Sequence, residues 1–231
     1  MDVSDWSKFH LYILQLEQEG LVTRTFRRLD PARQQAVLEA ILEEAALRGP
    51  AALNIKEVAQ RAGVSVGSLY QYFGDRDNML NFAVELSVRT IVDLFNEYRP
   101  YLAGLPLGEA LRWYLAGGLE WGKTQVGLVQ LFARAAYQGD PDLAERLVRP
   151  IAATMRAMVS EIFAQAAARG ETRPDLDLEA ATRLVHALTI AVGDPQLLPY
   201  LNAYFQVTDE TVSPERLLNG MVDFILRGVG Q

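Results

Sequence analysis

Gly63-Val64-Ser65-Val66-Gly67 spells G-x-S-x-G, the spacing that exposes a nucleophilic serine in hydrolases, and His186 lies downstream with Asp175, Asp177 and Glu179 before it. That chemistry needs a strand leading into the serine and a sheet to hold the histidine and acid. Residues 56 to 62 have helical spacing instead, and alternating strand patterns are hard to find anywhere in the chain. The hydrolase reading fails on fold, and no enzyme is expected. Other site chemistries lack ligands. There is no Cys, which removes thiol catalysis, thiolate metal sites and disulfides, and His10 and His186 are the only two histidines. No catalytic residue, metal or cofactor is assigned.

The same serine fits a different role. Asn54 can cap a helix that places Val58 and Ala59 inward, and Gly63 supplies the positive φ of a tight interhelical turn. Val64 plugs the corner. Ser65 then caps a second helix, whose free N–H groups and dipole favour a nearby phosphate. Leu69 and Phe73, four apart, anchor that helix, which leaves Val66, Gly67, Ser68, Tyr70, Gln71 and Tyr72 for the outer surface. Small polar residues and tyrosines on such a face suit entry into a DNA major groove. A compact helical hairpin buried in a core is the blander account, and the two outward tyrosines argue against it.

With these residues in register, the segment resembles the tetracycline-repressor (TetR) family of bacterial regulators. The likeness covers residues 32 to 80: Glu57-Val58-Ala59, Ala62-Gly63-Val64-Ser65, Gly67, Leu69-Tyr70, Tyr72-Phe73, Arg76 and Leu80. Asn54, Tyr72 and Gly74 depart from the family's more common Thr, His and Pro. The resemblance implies a homodimer on a near-palindromic double-stranded DNA operator, more often a repressor, released by a small molecule. It places Ser65, Gly67, Tyr70 and Tyr72 on the recognition helix, Asn54 near phosphate, and Arg76 on the DNA backbone at the next helix start. An architectural or partner-controlled DNA-binding protein of the same scaffold, with no small-molecule effector, is the alternative.

Around this segment the chain reads as all-α, with nine or ten helices. Expected spans are 5 to 19, 32 to 48 with Asp30 as cap and Pro31 inside, 55 to 62, 66 to 72, and from Asp75 to a stop at Pro100. Further helices are expected at 107 to 123, 125 to 138, 141 to 169, 177 to 193 and 214 to 228, with a short helix or ordered loop at 196 to 206. The role of each part divides it into a helical extension at 1–30, a DNA-binding domain at 31–91 with the helix-turn-helix at 54–73, and a ligand-binding and dimerisation domain at 92–231.

Net charge is -7 over 231 residues, against coating of nucleic acid by bulk attraction. Residues 24 to 80 hold 8 basic and 7 acidic side chains, so any polyanion should meet this third of the chain. Arg24, Arg27 and Arg28 form either an arm toward phosphates or a solvated linker after a packing helix. An acidic N-terminus and the lack of an uncharged apolar run of ~18 residues lead to the expectation of a soluble, cytoplasmic protein with no membrane partner.

Trp113, Gly117 and Trp121, four apart, with Phe132, Tyr137, Met155 and Met158, are candidates for an apolar effector pocket. Gly117, Gly118 and Gly122 in one helix signal a kink, a close helix contact or room for a ligand. Aromatic residues simply filling a core are the alternative. Leu184, Leu188, Leu217, Met221 and Phe224 make two late helices apolar on more than one face, which suggests a four-helix dimer interface. His186 is read as a core or interface histidine.

Overall fold

The computed structural model describes residues 3–230, with side chains from Lys8 onward. Trp6 therefore lies outside the described side chains, while Phe9, Ile13 and Leu16, its companions on one helix face, are buried. Among the described residues there is no strand, and Thr172 and Gly230 form an isolated antiparallel bridge.

The helices, in order, are α1 (Val3–Gln18), α2 (Arg24–Arg27), α3 (Pro31–Arg48), α4 (Ile55–Ala62), α5 (Val66–Phe73), α6 (Arg76–Gly104), α7 (Leu107–Thr124), α8 (Val126–Gln138), α9 (Pro141–Leu143), α10 (Arg149–Ala168), α11 (Leu178–Leu197), α12 (Asn202–Phe205) and α13 (Pro214–Val229). Local chemistry sets most of the starts. Asp30, Asn54, Ser65, Asp177 and Ser213 each accept a backbone N–H at the first turn of α3, α4, α5, α11 and α13.

Two expected stops do not hold. α6 runs through Pro100 to Gly104, and α11 runs through Gly193 and Pro195 to Leu197. Each proline removes one intrahelical hydrogen bond. Burial of Leu102 and Ala103 beyond the first, and of Pro195 itself and Leu198 at the second, keeps the helices going. The expected helix over 141 to 169 is broken by a π turn at Ala144–Val148, just before Pro150. A wider turn is a common accommodation where the regular i→i−4 pattern meets a residue with no N–H.

By packing, the chain forms two compact units. One runs from the N-terminus to Val92 and takes in Val126–Ile151; the other comprises Asp93–Gln125 with the residues from Ala152 on. In the first, α3 packs on α4 and α8. Arg134 of α8 donates to the carbonyls of Ala46 (3.2 Å) and Leu47 (3.4 Å), groups the end of α3 leaves unpaired. Buried Glu44 accepts from Arg61 at 2.7 Å, which ties α3 to α4. In the second unit, α7 packs against α11 and α13 over a core that includes Leu111, Tyr114, Ile162, Phe163, Val185 and Ile225.

Candidate nucleic-acid interface and ligand cavity

The helix-turn-helix is built as its local chemistry requires. Asn54 Oδ1 accepts the Lys56 N–H at 3.0 Å, and Val58 and Ala59 are buried. Gly63 ends α4 in the left-handed region at φ 65°, where a side chain would be strained. Ser65 Oγ accepts the Ser68 N–H at 3.0 Å, and the two hydroxyls share a 2.8 Å hydrogen bond. Leu69 and Phe73 are buried. Ser65, Gly67, Tyr70 and Gln71 are exposed, Tyr70 at 49%, and Asn54, Val66 and Ser68 are half-buried. Arg76 is exposed and donates from Nη1 to the Ala51 carbonyl at 2.9 Å, which holds the loop after α3 against the start of α6.

Tyr72 departs from the expectation. It is only 7% exposed, and its ring meets Phe26 edge-on with centroids 5.7 Å apart. Phe26 belongs to α2, a four-residue helix within the basic stretch, and it also packs on Phe73 and Phe82. The extension binds the end of α5 by its backbone too. Thr23 N–H donates to the Tyr72 carbonyl at 2.8 Å, and Thr23 Oγ1 donates to the Gln71 carbonyl at 2.7 Å. Arg27 pairs with Glu17, and Arg89 with Glu19 at 2.7 Å, while Arg24 and Arg28 stay exposed. The extension is thus packed through Phe26 and Thr23, with Arg24 and Arg28 left at the surface. It is a packed collar on α5. The one signal for this in the sequence was Phe26, an aromatic residue among arginines.

In the second unit a cavity of about 510 Å³ opens between α6 and α7, lined by Leu94, Phe95, Tyr98, Tyr101, Leu102, Trp113, Tyr114, Gly117, Gly118, Trp121 and Met158. Trp113, Gly117, Trp121 and Met158 are thus brought together. Met155 is not in the lining. Phe132 and Tyr137 sit on α8, which packs along α3 in the first unit: a Cβ at Gly127 would come within 3.2 Å of the Glu43 backbone. The lining residues outside the expected set are Leu94, Phe95, Tyr98, Tyr101 and Leu102 of α6 and Tyr114 of α7, with Gly118 expected only as a glycine signal.

Arg169 and Glu171 fix the turn between the two walls. Arg169 donates to the carbonyls of Ala103 (2.9 Å) and Leu105 (2.7 Å) and pairs with Glu171, whose Oε2 accepts the Leu107 N–H at 2.6 Å. The Arg169 hydrogen bond, then that of Leu107, holds the Glu171 carboxyl below its ordinary value against the opposing effect of burial. Tyr114 is buried, and its hydroxyl meets no donor or acceptor of the protein. Desolvation pushes its phenol well above the usual range, so it stays neutral. Such an orphan costs roughly 1–3 kcal/mol.

On α11 and α13, Leu184 and Phe224 are 71% and 70% exposed. Leu188 and Leu217 are half-buried against the core of their own unit. Met221, expected on the outer face, is buried in that core, because its position on α13 points it with Val222 and Ile225 toward α7 and α11. No described helix is long and apolar enough to cross a membrane.

Comparison with known proteins agrees with this geometry. The family model of bacterial regulatory proteins of the tetR family matches residues 37–82, and that of the tetracyclin repressor-like C-terminal domain matches residues 111–191. The chain is 29% identical over 164 residues to the HTH-type transcriptional repressor KstR2 of Mycolicibacterium smegmatis, a match over 68% of this chain and 76% of that protein. It is 30% identical over 71 residues to the HTH-type transcriptional regulator BetI of Stenotrophomonas maltophilia; this match takes in 31% of the chain and about a third of that relative's length (36%). The fold is shared with the transcriptional regulator FadR of Bacillus subtilis, solved in complex with stearoyl-CoA, at a TM-score of 0.61 and 16% identity over 84% of this chain and 98% of that one. Together the two family models span more than half of the sequence, and the chain belongs to the tetracycline-repressor family of transcriptional regulators.

Proposed function

We propose that the protein is a homodimeric repressor that reads a palindromic operator through α5 and releases it when a small, largely apolar molecule enters the cavity between α6 and α7. The observation that carries this is α5 itself. It is a short helix capped at its start by Ser65, held at its end by Thr23, and free to present Ser65, Gly67, Tyr70 and Gln71 outward. Gly67 lets the backbone approach a groove closely, and the hydroxyls and the amide reach phosphate or base edges. Val66, Ser68, Asn54 and Arg76 flank this face, with Arg76 already tied to the loop beside it. Tyr72 supports the face from behind and is not assigned a DNA contact.

The cavity favours a small-molecule effector over the partner-controlled alternative, which calls for a filled core in the second unit. The exposed apolar residues of α11 and α13 supply a dimer face, and recognition helices in such a dimer are expected about 34–36 Å apart.

The test is to capture fragmented genomic DNA with the purified protein at moderate salt and sequence what is enriched. A short inverted repeat, with enrichment lost on Tyr70→Ala and Gln71→Ala, supports the reading. No enrichment at a salt concentration where nonspecific binding is weak overturns it.

A further inference from the structure

We propose that Arg24 and Arg28 of α2 bind DNA phosphates beside the groove that α5 enters, so that the collar adds a sequence-independent clamp to the recognition helix. The assignment rests on α5 as the groove-reading helix and adds a second element to its interface.

Eight basic side chains lie between residues 24 and 80. Five of them pair with carboxylates: Arg27 with Glu17, Arg33 with Asp30, Arg48 and Arg61 with Glu44, and Arg76 with Asp77. Arg24, Arg28 and Lys56 are exposed and meet no carboxylate among the described residues. Two of the three uncommitted charges thus belong to one short helix and its cap. The acids around them are already engaged, Glu17 with Arg27, Glu19 with Arg89 and Asp30 with Arg33. In a chain of net charge -7, such local groups are where a polyanion finds attraction.

α2 is fixed to the end of α5 in an unusual way. Thr23 stands at the cap position of α2, yet its hydroxyl leaves that helix uncapped. It donates instead to the Gln71 carbonyl at 2.7 Å, beside the bond from Thr23 N–H to the Tyr72 carbonyl at 2.8 Å. Both acceptors belong to the last turn of α5, whose carbonyls lack intrahelical partners. Arg24 is the next residue, so it is held one peptide from the end of the reading helix, where Tyr70 and Gln71 are exposed. The Arg28 N–H closes a turn on the Arg24 carbonyl at 3.1 Å. The two arginines therefore share one side of α2, about 6 Å apart along its axis, while Phe26 points the other way into the core. Each DNA strand carries one phosphate per ~3.4 Å of axis, so guanidiniums at this spacing reach separate phosphates. Their forked donors match phosphate oxygens.

The experiment measures binding of the full chain to two duplexes at salt concentrations from about 50 to 200 mM. One duplex is the captured operator and the other a mixed sequence of equal length. Arg24→Gln/Arg28→Gln is compared with Arg24→Lys/Arg28→Lys and the parent. Each lost phosphate contact lowers the salt slope by about 0.9, so a dimer losing four should show a slope smaller by about three to four. Affinity should fall about tenfold or more on both duplexes alike, because phosphates carry no sequence. The lysine pair keeps the charges and should keep the slope. All three proteins should share one thermal midpoint, since both side chains lie at the surface. Unchanged slopes overturn the assignment, as does a lysine pair no better than the glutamine pair. A loss confined to the operator, with the mixed duplex unaffected, also overturns it and makes the arginines supports of α5. If no operator is captured, a smaller slope on the mixed duplex keeps the phosphate contact while the operator reading falls. A parent that binds neither duplex overturns both.

Discussion

The ring of Phe26 meets the ring of Tyr72 edge-on at 5.7 Å, and through that contact a four-residue helix outside the helix-turn-helix supports the recognition helix. Phe26 is fully buried and packs on Phe73 and Phe82 as well, so its loss leaves a cavity among three aromatic rings, those of Tyr72, Phe73 and Phe82. Phe26→Ala should cost about 3–5 kcal/mol of stability, read as a fall in the denaturation midpoint. Operator affinity should fall with it. Phe26→Leu, which refills most of the space, should recover much of both. A Phe26→Ala variant as stable as the parent would show that the extension does not support α5.

Tyr114 is a case in which removing a polar group should stabilise. Its buried hydroxyl has no partner, and Tyr114→Phe keeps the ring while deleting the orphan. The variant should gain about 1 kcal/mol, which in a chain of this size raises the thermal midpoint by roughly 2–4 °C. An unchanged or lowered midpoint in ligand-free protein would mean that the hydroxyl is satisfied in solution.

The glycines of α7 should respond in opposite directions. At Gly117 and Gly118 a methyl group meets nothing within 4 Å, so Gly→Ala should add up to about 1 kcal/mol through helix propensity. At Gly122 the same methyl would come within 2.8 Å of Leu197 Cδ1 and 3.0 Å of Cδ2. There the propensity gain is set against overpacking of about 1–3 kcal/mol, and Gly122→Ala should be the less stable by calorimetry. The same sign at all three positions would contradict the packing.

These glycines also mark what was legible in the sequence. A glycine in a helix says that a side chain is unwelcome or unneeded, and only the neighbour decides between close contact (Gly122 on Leu197 of α11) and open space (Gly117). That neighbour lies far off along the chain. Asn54, Gly63 and Ser65 were readable because a cap or a left-handed turn is decided within about four residues. Tyr72 was misplaced for the opposite reason. Three residues after Leu69, it stands at the edge of the buried face by periodicity, so its burial is decided by Phe26, and four residues of α2 are too few to carry a periodic signal. Pro100 and Pro195 gave strong local stop signals that tertiary burial overrode. The lining from α6 escaped notice because Phe95, Tyr98 and Tyr101 share a helix with core residues, and a sequence does not show which side faces a void.

His186 should give the second unit a pH-dependent stability. Desolvation, then the charge of Arg156, lowers its folded value below 6.5, and its Nδ1 is buried without a partner. Between that lowered value and 6.5 the unfolded chain holds a proton that the folded chain does not, so stability falls as pH drops through this interval and levels off beneath it. His186→Gln should flatten the dependence, seen as urea midpoints that no longer diverge above and below pH 6.5. Equal slopes in parent and variant would assign the dependence to other groups.

Phe224 offers the sharpest test of the dimer. It is 70% exposed on α13 between Gly220 and Gly228, each of which has open space at its Cβ, and Leu184 stands 71% exposed on α11, which packs beside α13. A large apolar residue flanked by glycines suits close approach of a second helix, and two such helices from each subunit make a four-helix contact. Phe224→Asp leaves the subunit's own core untouched, since the side chain lies outside it, so the helical circular-dichroism spectrum should be unchanged. Across a two-fold contact the substitution buries two like charges without partners. The variant should therefore sediment as a monomer at concentrations where the parent is a dimer, and bind single half-sites weakly. If Phe224→Asp and Leu184→Asp both remain dimeric, the subunits meet through another face.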